Sequence, residues 1–270
     1  MMNVNEVCKI INLQEHITKE VIKFDKNFNY SIIQKSITKF QDRNTREEGR
    51  LEIKNILGED EDGVKILSCM LYCAAECYAK YEQLGISDKI FTDTMKCFTR
   101  FINEHYESYG YYAFDRDWWT TRQISLQLLR IGQLEYELGI MDGEKTVKLH
   151  IPSDADITQE KCDESLSEAK KLIEAKFPAY AKCEWTCFSW LLSPALKKLL
   201  TANSNILRFQ KRFRILSCNE DEDEFLEWVY KRKDYPLNEL PENTTLQINM
   251  KKYLLSGGKV GEAFGIMKLK

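Results

Sequence analysis

Apolar residues recur three and four positions apart from the N-terminus to about Leu129, the spacing of helices that each bury one face. Tyr30, Ile33, Ile37 and Phe40 form one stripe. Val64, Leu67, Leu71, Ala74 and Tyr78 form a second, and Phe91, Met95, Phe98 and Ile102 a third. Punctuation agrees with the periodicity. Gly85 can take the left-handed conformation that stops the second helix, and Ser87 offers an oxygen to the amides that open the third. Trp119, Arg122, Leu126 and Leu129 share a face of a further helix, which Gly132 is expected to end.

At Gly132 the period changes to two. Leu134, Tyr136 and Leu138 share one strand face, and Val147, Leu149 and Ile151 share another. Asp142-Gly143 suits a two-residue type I′ turn, so the register follows by counting outward. Glu137 then stands opposite Lys148, and Glu135 opposite His150, both pairs on the polar side. The apolar side calls for helices. Thr158 to Phe177 supplies one, with Leu166, Ala169, Leu172 and Ile173 inward. Cys183 to Leu192 is apolar on both faces and reads as a central strand. Pro194 and Ser204 can open helices. A short strand near Ile215 to Ser217, an acidic turn at Asn219 to Glu224, helices from Phe225 and about Asn243, and a final strand near Lys259 to Lys268 complete the order.

The chain has 270 residues, 43% of them apolar, which is enough for two cores. Its net charge is −3, with both signs interleaved, so no basic stripe of the kind nucleic acids require is present. The one dense basic run, Arg208, Lys211, Arg212 and Arg214, reads as a solvated helix face. No apolar run is long enough to span a bilayer, and MMNVNEVCKI lacks the charged-then-apolar order of a secretion signal, which predicts a cytoplasmic protein with no membrane partner. The nine cysteines sit mostly among apolar neighbours; Cys69, Cys73 and Cys77 fall on one helix face and read as core thiols. His16, His105 and His150 are scattered, so no metal site is expected.

The stretch LQLLRIGQLEYELGIMDGEKTVKLHIP, followed by CEWTCFSWLLSPALKKLLTANSNILRFQKRF, carries a resemblance. With the later order of helix and strand, it resembles the C-terminal, GNAT-like half of a bacterial acyltransferase family whose N-terminal half is helical. The resemblance implies an α+β protein: a helical N-terminal domain (1–130) packed on a GNAT-like mixed, mainly antiparallel sheet with flanking helices (131–270). It implies an acyltransferase moving an acyl group from acyl-CoA or acetyl-CoA to an amine of a small molecule or peptide. The alternative is a catalytically silent GNAT-like module that binds a metabolite or protein partner.

Acyl transfer to an amine needs a base for the nucleophile, a donor for the oxyanion and an acid for the departing thiolate. For the base, Glu135 beside His150 is the candidate pair, because a carboxylate fixes the tautomer of an imidazole and raises its basicity. The plain alternative is an exposed cross-strand ion pair. The resemblance makes Thr146 to Ile151 the strand that offers an amide to the thioester. It makes Pro152 to Thr158 the loop that cradles the CoA pyrophosphate. That loop, PSDADIT, departs from the family pattern: it has no glycine and carries Asp154 and Asp156. Ser153 is its candidate CoA contact, although Ser153 or Asp156 can equally cap the helix. GNAT enzymes commonly place a tyrosine acid on the helix after the fifth strand; here the aromatic residues are Phe209 and Phe213, leaving Asn205 and Gln210 as candidate cofactor contacts. Tyr136, Ser189 and Trp190 are candidate substrate contacts. Cys187 would need a neighbouring base to act as a nucleophile, and none is legible, so it reads as structural. GGKVGEAFG reads as a turn into the last strand.

Overall fold

A computed structural model describes residues 2–268. The chain divides into two compact units that meet in sequence between Ile131 and Gly132.

The first unit comprises α1 (Val4–Ile10), α2 (Glu15–Asn27), α3 (Gln34–Phe40), α4 (Arg46–Leu57), α5 (Val64–Leu84), α6 (Asp88–Met95), α7 (Cys97–Tyr109), α8 (Asp117–Ile124) and the short strand β1 (Leu128–Ile131). The predicted stripes lie inward: Ile33, Ile37 and Phe40, Leu67, Leu71 and Ala74, and Phe91, Met95 and Phe98 are all fully buried. The third stripe runs across two helices, α6 and α7, which part at Lys96. Gly85 ends α5 at φ +62°, and the Ser87 hydroxyl accepts the Ile90 N–H at 3.4 Å. Cys69, Cys73 and Cys77 fill the inner face of α5, and burial pushes the Cys69 and Cys77 thiols up to about 12.

The helix before β1 also differs from its expectation. The helix carrying Trp119 stops at Ile124, and Leu126 and Leu129 are not on it. The Ser125 hydroxyl donates back to the Thr121 carbonyl at 2.7 Å, and Leu126 turns to φ +59°. Leu128–Ile131 then runs as a strand too short to display an alternation.

The second unit comprises β2 (Leu134–Met141), β3 (Glu144–His150), α9 (Gln159–Lys176), β4 (Glu184–Ser189), α10 (Leu196–Leu199), α11 (Asn205–Gln210), β5 (Phe213–Asn219), α12 (Glu224–Tyr230), α13 (Thr245–Leu255) and β6 (Glu262–Met267). Its strands lie in the order β2-β3-β4-β6-β5. The β3/β4 pair is parallel, and β2/β3, β4/β6 and β6/β5 are antiparallel. Asp142 (φ +51°) and Gly143 (φ +82°) both take the positive φ that a type I′ turn demands. The resulting register sets Glu135 opposite His150 and Glu137 opposite Lys148, as the count from the turn requires.

Helix α9 packs on the Leu134, Tyr136 and Leu138 side of the sheet. Its inner face is Cys162, Ser165, Ala169 and Ile173, so Leu166 and Leu172 are only half-buried. Small residues let the helix approach closely. The Ser165 hydroxyl lies 2.9 Å from the Tyr136 hydroxyl and accepts the Leu134 N–H at 3.2 Å. Beyond β4, Leu196, Leu199, Leu207, Phe225, Tyr230, Leu240, Met250 and Val260 form a core under the C-terminal helices. Ser204 caps α11, and Thr244 with Gln247 forms a capping box on α13.

Candidate active site

The parallel pair opens at its carboxyl end. Pairing between β3 and β4 runs from Thr146/Glu184 to Leu149/Cys187 and stops there. Strand β4 continues to Ser189 along β6, pairing Phe188 with Phe264 and Ser189 with Ala263. The chain leaves β3 into residues 151–158, and leaves β4 into a 3₁₀ turn at Trp190–Leu192. Crevices outside the carboxyl ends of parallel strands are the usual ligand sites of such sheets.

Alternation and register decide what faces that opening. One sheet face carries Glu135 and Glu137 from β2, Thr146, Lys148 and His150 from β3, Thr186 and Phe188 from β4, and Glu262 and Phe264 from β6. The other face carries Tyr136, Leu149, Trp185 and Cys187, all buried. The first face is not a wet hairpin side. Glu135 is 2% and Glu137 7% exposed, so the reading as an exposed ion pair fails on burial. Phe188 breaks the expectation of a strand buried on both faces: it is 53% exposed although its strand is central. A large aromatic side chain exposed mid-sheet marks a place where the sheet is uncovered.

His150 stands opposite Glu135 in the ladder, and its Nε2 lies 3.0 Å from Glu137 Oε2. Diagonal cross-strand neighbours are within reach of long side chains, which lean along the strand. An ionised Glu137 can only accept, so it holds the proton on Nε2 and turns Nδ1 into the basic nitrogen.

The other predicted residues fall in several places. Tyr136 is buried, donates to or accepts from Ser165 and meets the Trp185 ring edge-on at 5.5 Å, a core position against α9. The Ser189 hydroxyl accepts the Leu191 N–H at 3.1 Å and so turns the chain out of β4. Trp190 packs against the C-terminal core. Gln210 is buried, and its amide donates to the Leu191 and Ser193 carbonyls, both at 2.9 Å, pinning the turn after β4. Asn205 is the half-buried first residue of α11. Ser153 is exposed in the loop before α9. Asp156 does not cap that helix. Its carboxylate accepts the Thr158 N–H at 3.0 Å, one turn early, and this bond holds its carboxyl below the usual range. Cys187 is buried, and burial pushes its thiol well up, which suits packing and not nucleophilic attack.

Three residues that the sequence did not single out as site residues enter here. Glu137 holds His150. Arg212, read as part of a solvated face, donates to Asp163 and, at 3.1 Å, to the Gln159 carbonyl in the first turn of α9. Glu262 is a buried acid on the open face; its signal was a single charge inside the otherwise apolar run VGEAFGIM.

Comparison with known proteins places this geometry. Residues 128–267 match the GNAT-like C-terminal domain, and residues 2–126 match the N-acyltransferase N-terminal domain. No curated protein matches the chain in sequence. Among solved structures, the chain is similar to an acyltransferase in complex with decanoyl-CoA and teicoplanin (TM-score 0.84, 22% identity). It is also similar to an acyltransferase with CoA and 10C-teicoplanin (0.83, 22%) and to one with decanoyl-CoA (0.81, 19%). Each comparison covers 98% of this chain and 87% of the other. The chain therefore belongs to the family that joins an N-acyltransferase N-terminal domain to a GNAT-like C-terminal domain.

Proposed function

We propose that the protein transfers an acyl group from acyl-CoA to an amine borne by a small molecule or peptide. The observation that carries this reading is the opening between β3 and β4, with the His150–Glu137 pair on its edge and the exposed Phe188 beside it. Where the two strands stop pairing, their backbone can receive an extended pantetheine arm. The thioester then lies next to a basic imidazole nitrogen. His150 takes the proton released as the amine attacks and returns it to the departing thiolate. Glu137 acts as its positioning residue, and Glu135 lies beside it on the ladder. The structures similar to this chain are described with decanoyl-CoA and with the glycopeptide teicoplanin, which is consistent with a long acyl donor and a peptide-like acceptor.

The missing glycines before α9 have a counterpart in Arg212. The Thr158 side chain makes no cap, so the first amides of α9 point outward, and the Arg212 guanidinium sits in the same turn. A pyrophosphate there would draw Arg212 from Asp163, and the guanidinium would offset the repulsion from Asp154 and Asp156. A cytosolic setting, where acyl-CoA is available, keeps cysteine thiols reduced. Among the described residues no helix is long and apolar enough to cross a membrane.

Calorimetric titration and thermal shift with acetyl-, octanoyl- and decanoyl-CoA test the reading. Saturable binding with a rise in melting temperature is expected for at least one donor. A flat response to all three would end it.

A further inference from the structure

Strand β2 carries a glycine where turn geometry does not ask for one. Gly139 lies within LEYELGIM, opposite Thr146, and its φ is not positive. A glycine inside a strand gives up packing and chain entropy, and it marks a place where something approaches closely. Here that is a lysine. A Cβ added at Gly139 would stand 2.8 Å from the Lys148 Cε and 3.1 Å from its Cδ. The Lys148 stem therefore lies flat over Gly139, on the open face of the sheet.

That direction parts two charges which the ladder sets opposite each other. Glu137 and Lys148 are cross-strand partners of opposite sign, the kind of pair that usually joins. Instead Glu137 leans to His150 and Lys148 leans the other way, over Gly139. Among the described residues the half-buried Lys148 ammonium has no hydrogen-bond or ion-pair partner. Its neighbours on the face, Thr146 and Thr186, are buried, and the Thr146 hydroxyl donates to the Glu184 carbonyl at 2.9 Å. The Glu184 side chain, beyond Thr146 on β4, is exposed.

The open face is divided by charge. Its carboxyl end holds the buried Glu135, Glu137 and Glu262; burial first, then Glu224 and Glu222, raise the Glu262 carboxyl from 4.5 to about 7. The row below holds Lys148, Thr186, Ile266 and, on the edge strand β5, the exposed Arg214. A molecule lying along β3 from His150 therefore meets acids first and a free cation further on. The Lys148 Cε is level with Thr146, four residues before His150, about 13 Å along the strand. His150 leans toward that end, and an ammonium–carboxylate contact takes up part of the rest, so roughly 10 Å separates an amine at His150 from an anion at Lys148.

We propose that Lys148 receives a carboxylate of the acyl acceptor and so selects acceptors that carry an anion roughly 10 Å from the reacting amine, the reach of about three extended residues. This rests on the acyl-transfer reading and adds a second recognition group to it: the acceptor is peptide-like and has a free carboxylate at its far end. Lys148 moves no proton and forms no covalent bond. Its ammonium fixes the end of the acceptor that does not react, and Gly139 keeps that ammonium away from Glu137, where it would be neutralised. A single α-amino acid is too short to touch both places.

The test uses the intact chain, decanoyl-CoA and thiol release, and compares amino acids with their own amides, which keep the amine and lose the negative charge. The long pair is 8-aminooctanoate and 8-aminooctanamide; the short pair, unable to span, is 4-aminobutyrate and 4-aminobutanamide. Wild type should favour 8-aminooctanoate over its amide by about tenfold or more in kcat/KM, through KM, and show no such preference in the short pair. Lys148→Met, which keeps the stem and removes the charge, should raise the KM for 8-aminooctanoate about tenfold. Both amides, and the KM for decanoyl-CoA, should stay within about twofold. If Lys148→Met does not fold, Lys148→Gln is read in the same way. Equal loss with acid and amide, a wild type without the acid preference, or one that binds decanoyl-CoA yet acylates none of the four amines overturns the proposal. A wild type that binds no acyl-CoA instead brings down the acyl-transfer reading itself, and this proposal with it.

Discussion

His150 is seated opposite Glu135 in the β2/β3 ladder, yet its Nε2 lies 3.0 Å from Glu137, one diagonal away. The consequence is a division of labour between two buried carboxylates. His150→Ala should lower turnover by about a hundredfold or more while leaving the melting temperature nearly unchanged. Glu137→Gln should lower it by a smaller factor, through loss of orientation. A larger loss at Glu135→Gln than at Glu137→Gln would reverse that assignment.

Glu262 makes stability depend on pH in a stated direction. Its folded-state carboxyl is raised to about 7, so the folded protein binds the proton more tightly than the unfolded chain does. Its contribution is therefore most favourable below the ordinary 4.5 and is lost as pH rises toward 7. The loss above pH 7 is on the order of 3 kcal/mol. Urea unfolding should show Glu262→Gln more stable than wild type at pH 8 and the two nearly equal at pH 4. No change in their difference between the two pH values would contradict this.

Gly261 should tolerate no side chain. Gly261→Ala combines a positive φ with a collision against Asn219 and Glu220, and should cost about 3 kcal/mol or more. Gly257→Ala, where φ is +83° and no atom lies within 4 Å, should cost only about 1 kcal/mol. Chemical denaturation of the two variants side by side checks the contrast.

Arg212 and Asp163 should have opposite effects on the donor. Arg212→Ala should raise the KM for acyl-CoA about tenfold and flatten its salt dependence, and Asp163→Asn, which frees the guanidinium, should lower it. Matching shifts in the two variants would exclude a phosphate role for Arg212.

Gln210 joins two parts of the fold that the helix–strand pattern treats separately. Removing its amide leaves two buried carbonyls, Leu191 and Ser193, without their donor, and Gln210→Ala should cost about 2 kcal/mol or more. Thermal unfolding in the absence of ligand measures that cost apart from any effect on CoA binding.

Local patterns were enough for most elements because each rests on a short-range rule. The stripe from Val64 to Tyr78, the stop at Gly85, the cap at Ser87 and the Asp142-Gly143 turn depend on residues a few positions apart, and the ladder register follows from the turn alone. The strand Leu128–Ile131 was hidden because four apolar residues after a helix have no distinguishable period. Tyr136 and Gln210 looked like site residues because their polar atoms have no visible partner along the chain; their partners, the Ser165 hydroxyl for Tyr136 and the Leu191 and Ser193 carbonyls for Gln210, are brought close by folding.

Periodicity and turn chemistry thus sufficed to place Glu135 across from His150 and to order the strands and helices that follow Gly132, since those relations depend on spacing along one strand or helix. Folding alone made Glu137 the partner of His150, brought Arg212 to the start of α9 and enclosed Glu262 among like charges. Each of those depends on side-chain reach, burial and the meeting of segments far apart in the chain. Such contacts have no period and leave no local trace.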